Sequence, residues 1–154
     1  MKAVIQRVRS ASVEIEGTIV GQIQQGLVIL LGAARGDGPK DVQYMVEKIS
    51  QLRIFSDSQG KMNLSVMDVK GEVLVVSQFT LLGNMDKGRR PGFDQAAPPD
   101  LAQALYDQVV QNLRAQSLHV ETGRFGASML VSLHNDGPVT FILDSQRTVD
   151  RQRG

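Results

Sequence analysis

The stretch EVLVVSQFTLLG, residues 72–83, sets Ser77, Gln78 and Thr80 inside an otherwise β-branched and leucine-rich run. Extended as a strand, it puts Gln78 and Thr80 on one face and Ser77 with Phe79 on the other. Polar side chains in such a run are costly unless bonded, so the cluster needs a protein partner, a water or a substrate. An edge strand whose serine and threonine bond locally meets the same need, because both residues are common in strands. A second outlier is SLHNDGPVTFILDS, residues 132–145, a strand-like run holding Gly137-Pro138. Proline is normally expelled from sheet interiors. A plain turn accounts for Asp136-Gly137-Pro138, and proline also raises the chance of a cis peptide bond.

The usual catalytic groups are scarce. There is no cysteine, hence no disulfide frame and no thiol nucleophile. The two histidines, His119 and His134, stand fifteen residues apart without partners at metal-ligand spacing, so no metal site is expected. Gly32, Gly36 and Gly38 fit neither standard phosphate-binding loop. No serine sits in a nucleophile-elbow context, although residue order alone leaves a Ser-His-Asp triad open. His134, beside Asn135-Asp136, reads as a structural or surface residue. No cofactor is expected.

These groups need a frame, and 154 residues are enough for one domain with a continuous core. Seventeen basic and sixteen acidic residues leave a net charge of +1. That balance argues against a broad nucleic-acid-coating surface and leaves room for a local basic patch. The opening MKAVIQRVRSASVEIEG has no unbroken apolar stretch and reads as neither a signal peptide nor a membrane span, so a cytoplasmic location is expected.

Residues 2–8 and 12–16 alternate as strands, Glu16-Gly17 turns, and Thr18–Ile23 returns. Leu27–Leu31 is a short, fully apolar strand. Val42, Met45, Val46, Ile49 and Leu52 recur at helical spacing, which predicts a helix over 40–53 entered through Gly38-Pro39. Strand character resumes over 53–55, SDSQG turns, Met62 and Leu64 alternate, and a long strand is expected over 72–82. Residues 83–99 form an irregular segment long enough to suggest function. Asp100 is expected to cap a second helix bearing Leu101, Leu105, Val109 and Leu113. Three β segments follow, at 118–122, 128–134 and 139–144. A polar, frayed tail is expected over 146–154. The fold class is mixed α/β in one domain, mostly antiparallel, with two helices.

SQFTL at 77–81 and NDGPVTF at 135–141 resemble the two signature motifs of the D-aminoacyl-tRNA deacylases (the D-tyrosyl-tRNA deacylase family). IQRV (5–8), RIFSD (53–57), GKMNLSV (60–66), RRPGF (89–93), ALYD (104–107) and TGRFGASM (122–129) agree in order. The resemblance covers residues 1–145, the expected deacylase domain, and leaves only the tail outside it. It implies an antiparallel, β-barrel-like core flanked by two helices, and a homodimer with active sites at the subunit interface. The implied reaction is hydrolysis of the ester joining a D-amino acid to the 3′-terminal ribose of tRNA. Achiral glycine is expected as a second acyl group.

Such an ester is already activated, so positioning, an oxyanion site and a water can suffice. Backbone N–H groups around Phe79 and Thr80 are the expected oxyanion donors. Ser77 and Gln78 would fix that strand end and the terminal ribose or adenine. Thr80 is either a covalent nucleophile, which needs an adjacent base, or a residue that lines the site and orients water. By resemblance, Gly137-Pro138 is a Gly-cisPro pair inserted into the partner subunit's site, where carbonyls face the substrate's α-carbon and exclude an L side chain. Arg7 either holds that motif or is a surface charge. Phe125 either lines the pocket or sits in the core. Lys87, Arg89 and Arg90 are candidates for tRNA phosphate contacts or form a solvated loop. Two alternatives stand beside this reading: a trans-Pro relative acting on mischarged L-alanyl-tRNA, and a non-catalytic RNA-binding module.

Overall fold

The structure, a computed structural model, describes residues 1–147. Strand β1 (Lys2–Ile15) turns through Glu16 and Gly17, both at positive φ, into β2 (Thr18–Ile23). Strand β3 (Gly26–Gly32) leads to helix α1 (Pro39–Gln51), and β4 (Phe55–Ser56) pairs with β5 (Met62–Leu64). Strand β6 (Glu72–Ser77) is followed by a 3-10 turn (Phe79–Leu82), helix α2 (Pro99–Ala115), β7 (His119–Thr122) and β8 (Leu130–Asp144).

The main sheet runs β2-β1-β3-β6-β7, with β8 on the other side of β1. Strand β1 is antiparallel to β2, β3 and β8, whereas β3, β6 and β7 run parallel to one another. The apolar runs of β3 and β6 have the composition expected of parallel strands covered on both faces. Leu27, Ile29, Val73 and Val75 pack under the two helices with Met45, Ile49, Val109 and Leu113. Val28, Leu74 and Val76 face the opposite way, against Val8, Val13 and Ile23 of the β1–β2 hairpin. The hairpin therefore curls over the far face and leaves the sheet nearly closed. The expected mixed, barrel-like domain is the observed one, but its core is not antiparallel throughout, since β3, β6 and β7 are parallel.

Three boundaries differ from the sequence reading. The strand expected over 72–82 stops at Ser77. Gln78 donates its N–H to the Leu31 carbonyl at 2.8 Å, and β3 ends one residue later at Gly32. With no further ladder, the Gln78 carbonyl accepts from Leu81 and starts the 3-10 turn, so the assignment of residues 77–80 to alternate strand faces fails. Strand β6 is central only as far as Val75, the last residue paired with β7; Ser77 has β3 alone beside it. Asp100 lies in the first turn of α2 rather than capping it; Pro98 holds the cap position. The carboxylate still complements the helix dipole there.

The two segments expected at 128–134 and 139–144 form one strand with a bulge. Thr140 pairs with Gln6 and Asn135 with Val8, so Asp136 to Val139 stand opposite Arg7 alone. Asn135 closes the base of this bulge, accepting from Val139 N–H at 2.7 Å and donating to Thr140 Oγ1 at 2.9 Å. The Gly137-Pro138 peptide is cis. At the chain ends, the buried Met1 ammonium lies 2.7 Å from Asp37 and donates to Ser145 Oγ. Gln146, expected to fray, donates to both Asp37 and Asp41. The rest of the expected tail, from residue 148, lies outside the described residues.

Candidate active site

Parallel strands deliver the loops at their C-terminal ends to one edge of the sheet, a place where α/β folds commonly bind ligands. Here β3, β6 and β7 all do so, and the loops leaving them surround a cavity of about 750 Å³. Ala33 and Arg35 come from the end of β3, Ser77, Gln78 and Phe79 from the end of β6, and Phe125 to Ala127 from the loop after β7. Pro98 and, from α2, Pro99, Ala102 and Tyr106 add to the wall.

Close approach of β3 to the 3-10 turn depends on Gly32. A Cβ there would lie 2.7 Å from the Gln78 carbonyl oxygen and 2.6 Å from Leu82 Cδ2. The turn then begins with two free donors. Leu81 N–H is bonded to Gln78, whereas Phe79 N–H and Thr80 N–H have no acceptor among the described residues. Gln78 Nε2 donates to Thr80 Oγ1 at 2.5 Å, so the threonine oxygen is an acceptor in this arrangement. Phe79, 56% exposed, meets Phe93 edge to face with ring centroids 5.0 Å apart.

Of the residues singled out from sequence, Ser77, Gln78, Phe79 and Phe125 line this cavity, and Thr80 lies just outside its lining. Phe125 lies between cavity and core. It faces the cavity and also packs against the core, tilted against Tyr106 at 6.1 Å. Gly137 and Pro138 are exposed and contribute nothing to the cavity of their own protomer. Arg7 is no free surface charge: its side chain is 12% exposed and donates to the Asp136 carbonyl at 3.0 Å and the Ile54 carbonyl at 2.8 Å. Gly137 has φ 141°, and a Cβ on it would sit 2.6 Å from Val139 Cγ2 and 3.2 Å from Arg7 Nη2. Only glycine fits comfortably.

Lys87, Arg89 and Arg90 are exposed in the segment after the 3-10 turn, which paired bonds between Asn84 and Gly92 pinch into a loop. No ion pair among the described residues involves them. His134 is exposed beside Ser10, with Nδ1 3.4 Å from its hydroxyl. His119 lies near Glu72 and Glu121 at the opposite ends of the parallel strands. Neither histidine approaches the cavity lining. Among the described residues no group of three or more His, Cys, Asp or Glu side chains could hold a metal ion.

The sequence alone gives no role to Arg35, nor to Phe93 and Tyr106, although these two lie within RRPGF and ALYD. Arg35 donates from Nε to the Asp94 carbonyl at 2.6 Å and so ties the β3 end to the long loop. The one signal in the sequence is its place in the loop that follows the short apolar strand at 27–31. Burial pushes the Tyr106 phenol well above the ordinary tyrosine range, with Asp107 adding to the shift and Arg114 and Thr122 opposing it. It remains a donor through the working pH range.

The D-Tyr-tRNA(Tyr) deacylase family model matches residues 4–144. A D-aminoacyl-tRNA deacylase of Bacillus cereus (strain G9842) is 58% identical over 146 residues, covering 95% of this chain and 100% of the relative. That of Thermosipho africanus (strain TCF52B) is 56% identical over 147 residues, covering 96% and 99%. The solved structure of a protein called c-Myc DNA Unwinding Element Binding Protein superposes with a TM-score of 0.88 at 43% identity, covering 94% of this chain and 98% of that one. This fold and these matches define a single-domain hydrolase. The chain belongs to the D-aminoacyl-tRNA deacylase family, the one that its SQFTL and NDGPVTF stretches resemble.

Proposed function

We propose that the protein hydrolyses the ester of D-aminoacyl-tRNA and rejects the L form through Gly137-Pro138. The observation that carries this reading is the end of β6. Two N–H groups without an acceptor among the described residues, those of Phe79 and Thr80, follow Ser77 and Gln78 at a largely apolar cavity whose lining, among the described residues, holds no histidine. Such donors can hold the oxyanion formed when water adds to the ester carbonyl. Collapse of that intermediate breaks the ester bond, and the departing ribose oxygen takes the proton. An activated aminoacyl ester needs little more than this positioning.

Chiral rejection follows from where the bulge stands. Gly137 and Pro138 are absent from the cavity lining of their own protomer, and in this reading a second copy of the chain brings them to it. The outer edge of β8, with Leu130 and Ile142 exposed at 62% and 76%, offers an apolar surface for such a homodimer. Carbonyls of the inserted bulge would accept from the substrate's α-ammonium and leave no space for an L side chain. A D side chain would point outward, and glycine, lacking either, would pass. Arg7 supports this by fixing the bulge from behind. Lys87, Arg89 and Arg90 suit the tRNA backbone, and the cytoplasm, where tRNA is used, is the expected compartment.

The test is incubation with D-tyrosyl-, L-tyrosyl-, L-alanyl- and glycyl-tRNA. Release from the D and glycyl forms alone is expected. Release from L-alanyl-tRNA would favour a relative with an opened site. Release from none would favour a nucleic-acid-binding module, the class to which the name of the structural neighbour points.

A further inference from the structure

The cavity wall contains one buried hydroxyl that the proposed reaction does not use. Tyr106, on α2, is 6% exposed and donates to the Val75 carbonyl at 2.8 Å. Val75 is the last residue of β6 with a partner in β7, because β7 ends at Thr122. Beyond it, Val76 and Ser77 keep only their β3 neighbours on the way to Gln78 and the 3-10 turn. The bond therefore falls two residues before Ser77, where the strand loses half of its ladder. The other end of the same side chain faces the site, since the Tyr106 ring lines the cavity beside Phe125.

We propose that Tyr106 is a positioning residue: its hydroxyl holds the β6 terminus so that Gln78 and the N–H groups of Phe79 and Thr80 meet the ester. This rests on the hydrolase reading given above. Removing the donor takes a hydrogen bond from the Val75 carbonyl at this point, and the strand end shifts to find water or another donor. Misplacement by an ångström or less at a reacting centre costs roughly 10- to 100-fold in rate.

Tyr106→Phe isolates the hydroxyl, because the ring and the cavity wall stay. Single-turnover release from D-tyrosyl-tRNA at saturating enzyme is expected to slow by about tenfold or more, about 1.4 kcal/mol of barrier. Affinity for the tRNA is expected to stay within about twofold, since the ring that touches the cavity is kept. Replacing Tyr106 by 4-aminophenylalanine, which restores a donor, is expected to recover most of the rate. Amide hydrogen exchange over residues 77–82 gives a readout independent of activity and is expected to quicken in Tyr106→Phe. A wild-type rate at saturation, unchanged exchange over 77–82, or an effect confined to the melting temperature would overturn the proposal. So would a loss that lies wholly in affinity. Failure of the wild-type protein to release any D-amino acid would instead overturn the hydrolase reading.

Discussion

Arg7 reaches the Asp136 carbonyl at 3.0 Å, one residue before Gly137, while its other arm holds the Ile54 carbonyl at 2.8 Å. The guanidinium thus ties the bulge of β8 to the segment that follows α1, and a lysine ammonium cannot span both carbonyls in the same plane. Arg7→Lys is expected to cost about 1–3 kcal/mol, the usual range for charge-assisted bonds and for the carbonyl left unpaired. Denaturant unfolding measures that loss. The same variant is expected to widen acyl-group tolerance, measured as an increased ratio of L-tyrosyl- to D-tyrosyl-tRNA release.

Gly137→Ala places a methyl group 2.6 Å from Val139 Cγ2 in a backbone conformation that L side chains rarely adopt. Gly137 and Pro138 are exposed at the tip of the bulge, beyond the bonds of Asn135 and Arg7 that hold it, so the domain should stay folded while the bulge changes shape. Loss of D-tyrosyl-tRNA release by about 100-fold, a misplacement effect, is expected with a nearly unchanged circular dichroism spectrum. Mixing Gly137→Ala with Gln78→Ala should then restore part of the activity, because one of the two sites in a mixed dimer would draw both motifs from wild-type sequence. No recovery on mixing would count against insertion of the bulge into a partner's site.

Lys87→Ala, Arg89→Ala and Arg90→Ala combined remove three exposed cations from the pinched loop. If each neutralises a phosphate, the slope of log affinity against log salt should fall by about 0.7–0.9 per contact. The rate at saturating enzyme should hold, because the loop lies outside the reacting centre. Titration of uncharged tRNA at several salt concentrations separates the two effects.

How much of this was readable beforehand divides along physical lines. Helix α1 was legible because Val42, Met45, Val46 and Ile49 repeat at 3.6-residue spacing and Pro39 opens it. The end of β6 was not, because FTLL carries no glycine or proline and suits a strand as well as a turn. What stops β6 is the end of β3 beside it, a tertiary fact. The parallel pairing of β3 with β6 was equally invisible, and with it the position of Arg35. Gly137-Pro138 was visible as a break in a strand. That the break faces Arg7 depends on a register between residues more than a hundred positions apart.

Tyr106 makes a prediction for stability against pH. Its phenol pKa is raised in the folded protein above the ordinary value of 10.0. Only the unfolded chain therefore ionises as the pH first passes that value, and ionisation draws the equilibrium toward unfolding. The contribution is fully present below about pH 10 and is lost progressively above it. Wild-type protein should lose more stability between pH 9 and pH 11 than Tyr106→Phe does, as measured by urea midpoints at each pH.

Thr80 separates two chemistries that share the same residues. A covalent mechanism requires its hydroxyl to lose a proton to a neighbouring base. Around it the structure offers Gln78, whose amide donates to the threonine oxygen and cannot accept its proton. A site-lining role asks less: the oxygen accepts from Gln78, and the hydroxyl hydrogen stays free to orient water. Thr80→Ala is then expected to retain single-turnover release within about tenfold of wild type, the scale of one lost neutral hydrogen bond. Gln78→Ala should do more harm, because it removes a cavity-lining side chain at the head of the 3-10 turn. A rapid quench that traps acyl-enzyme in wild type but not in Thr80→Ala would reverse this ordering and establish the nucleophile.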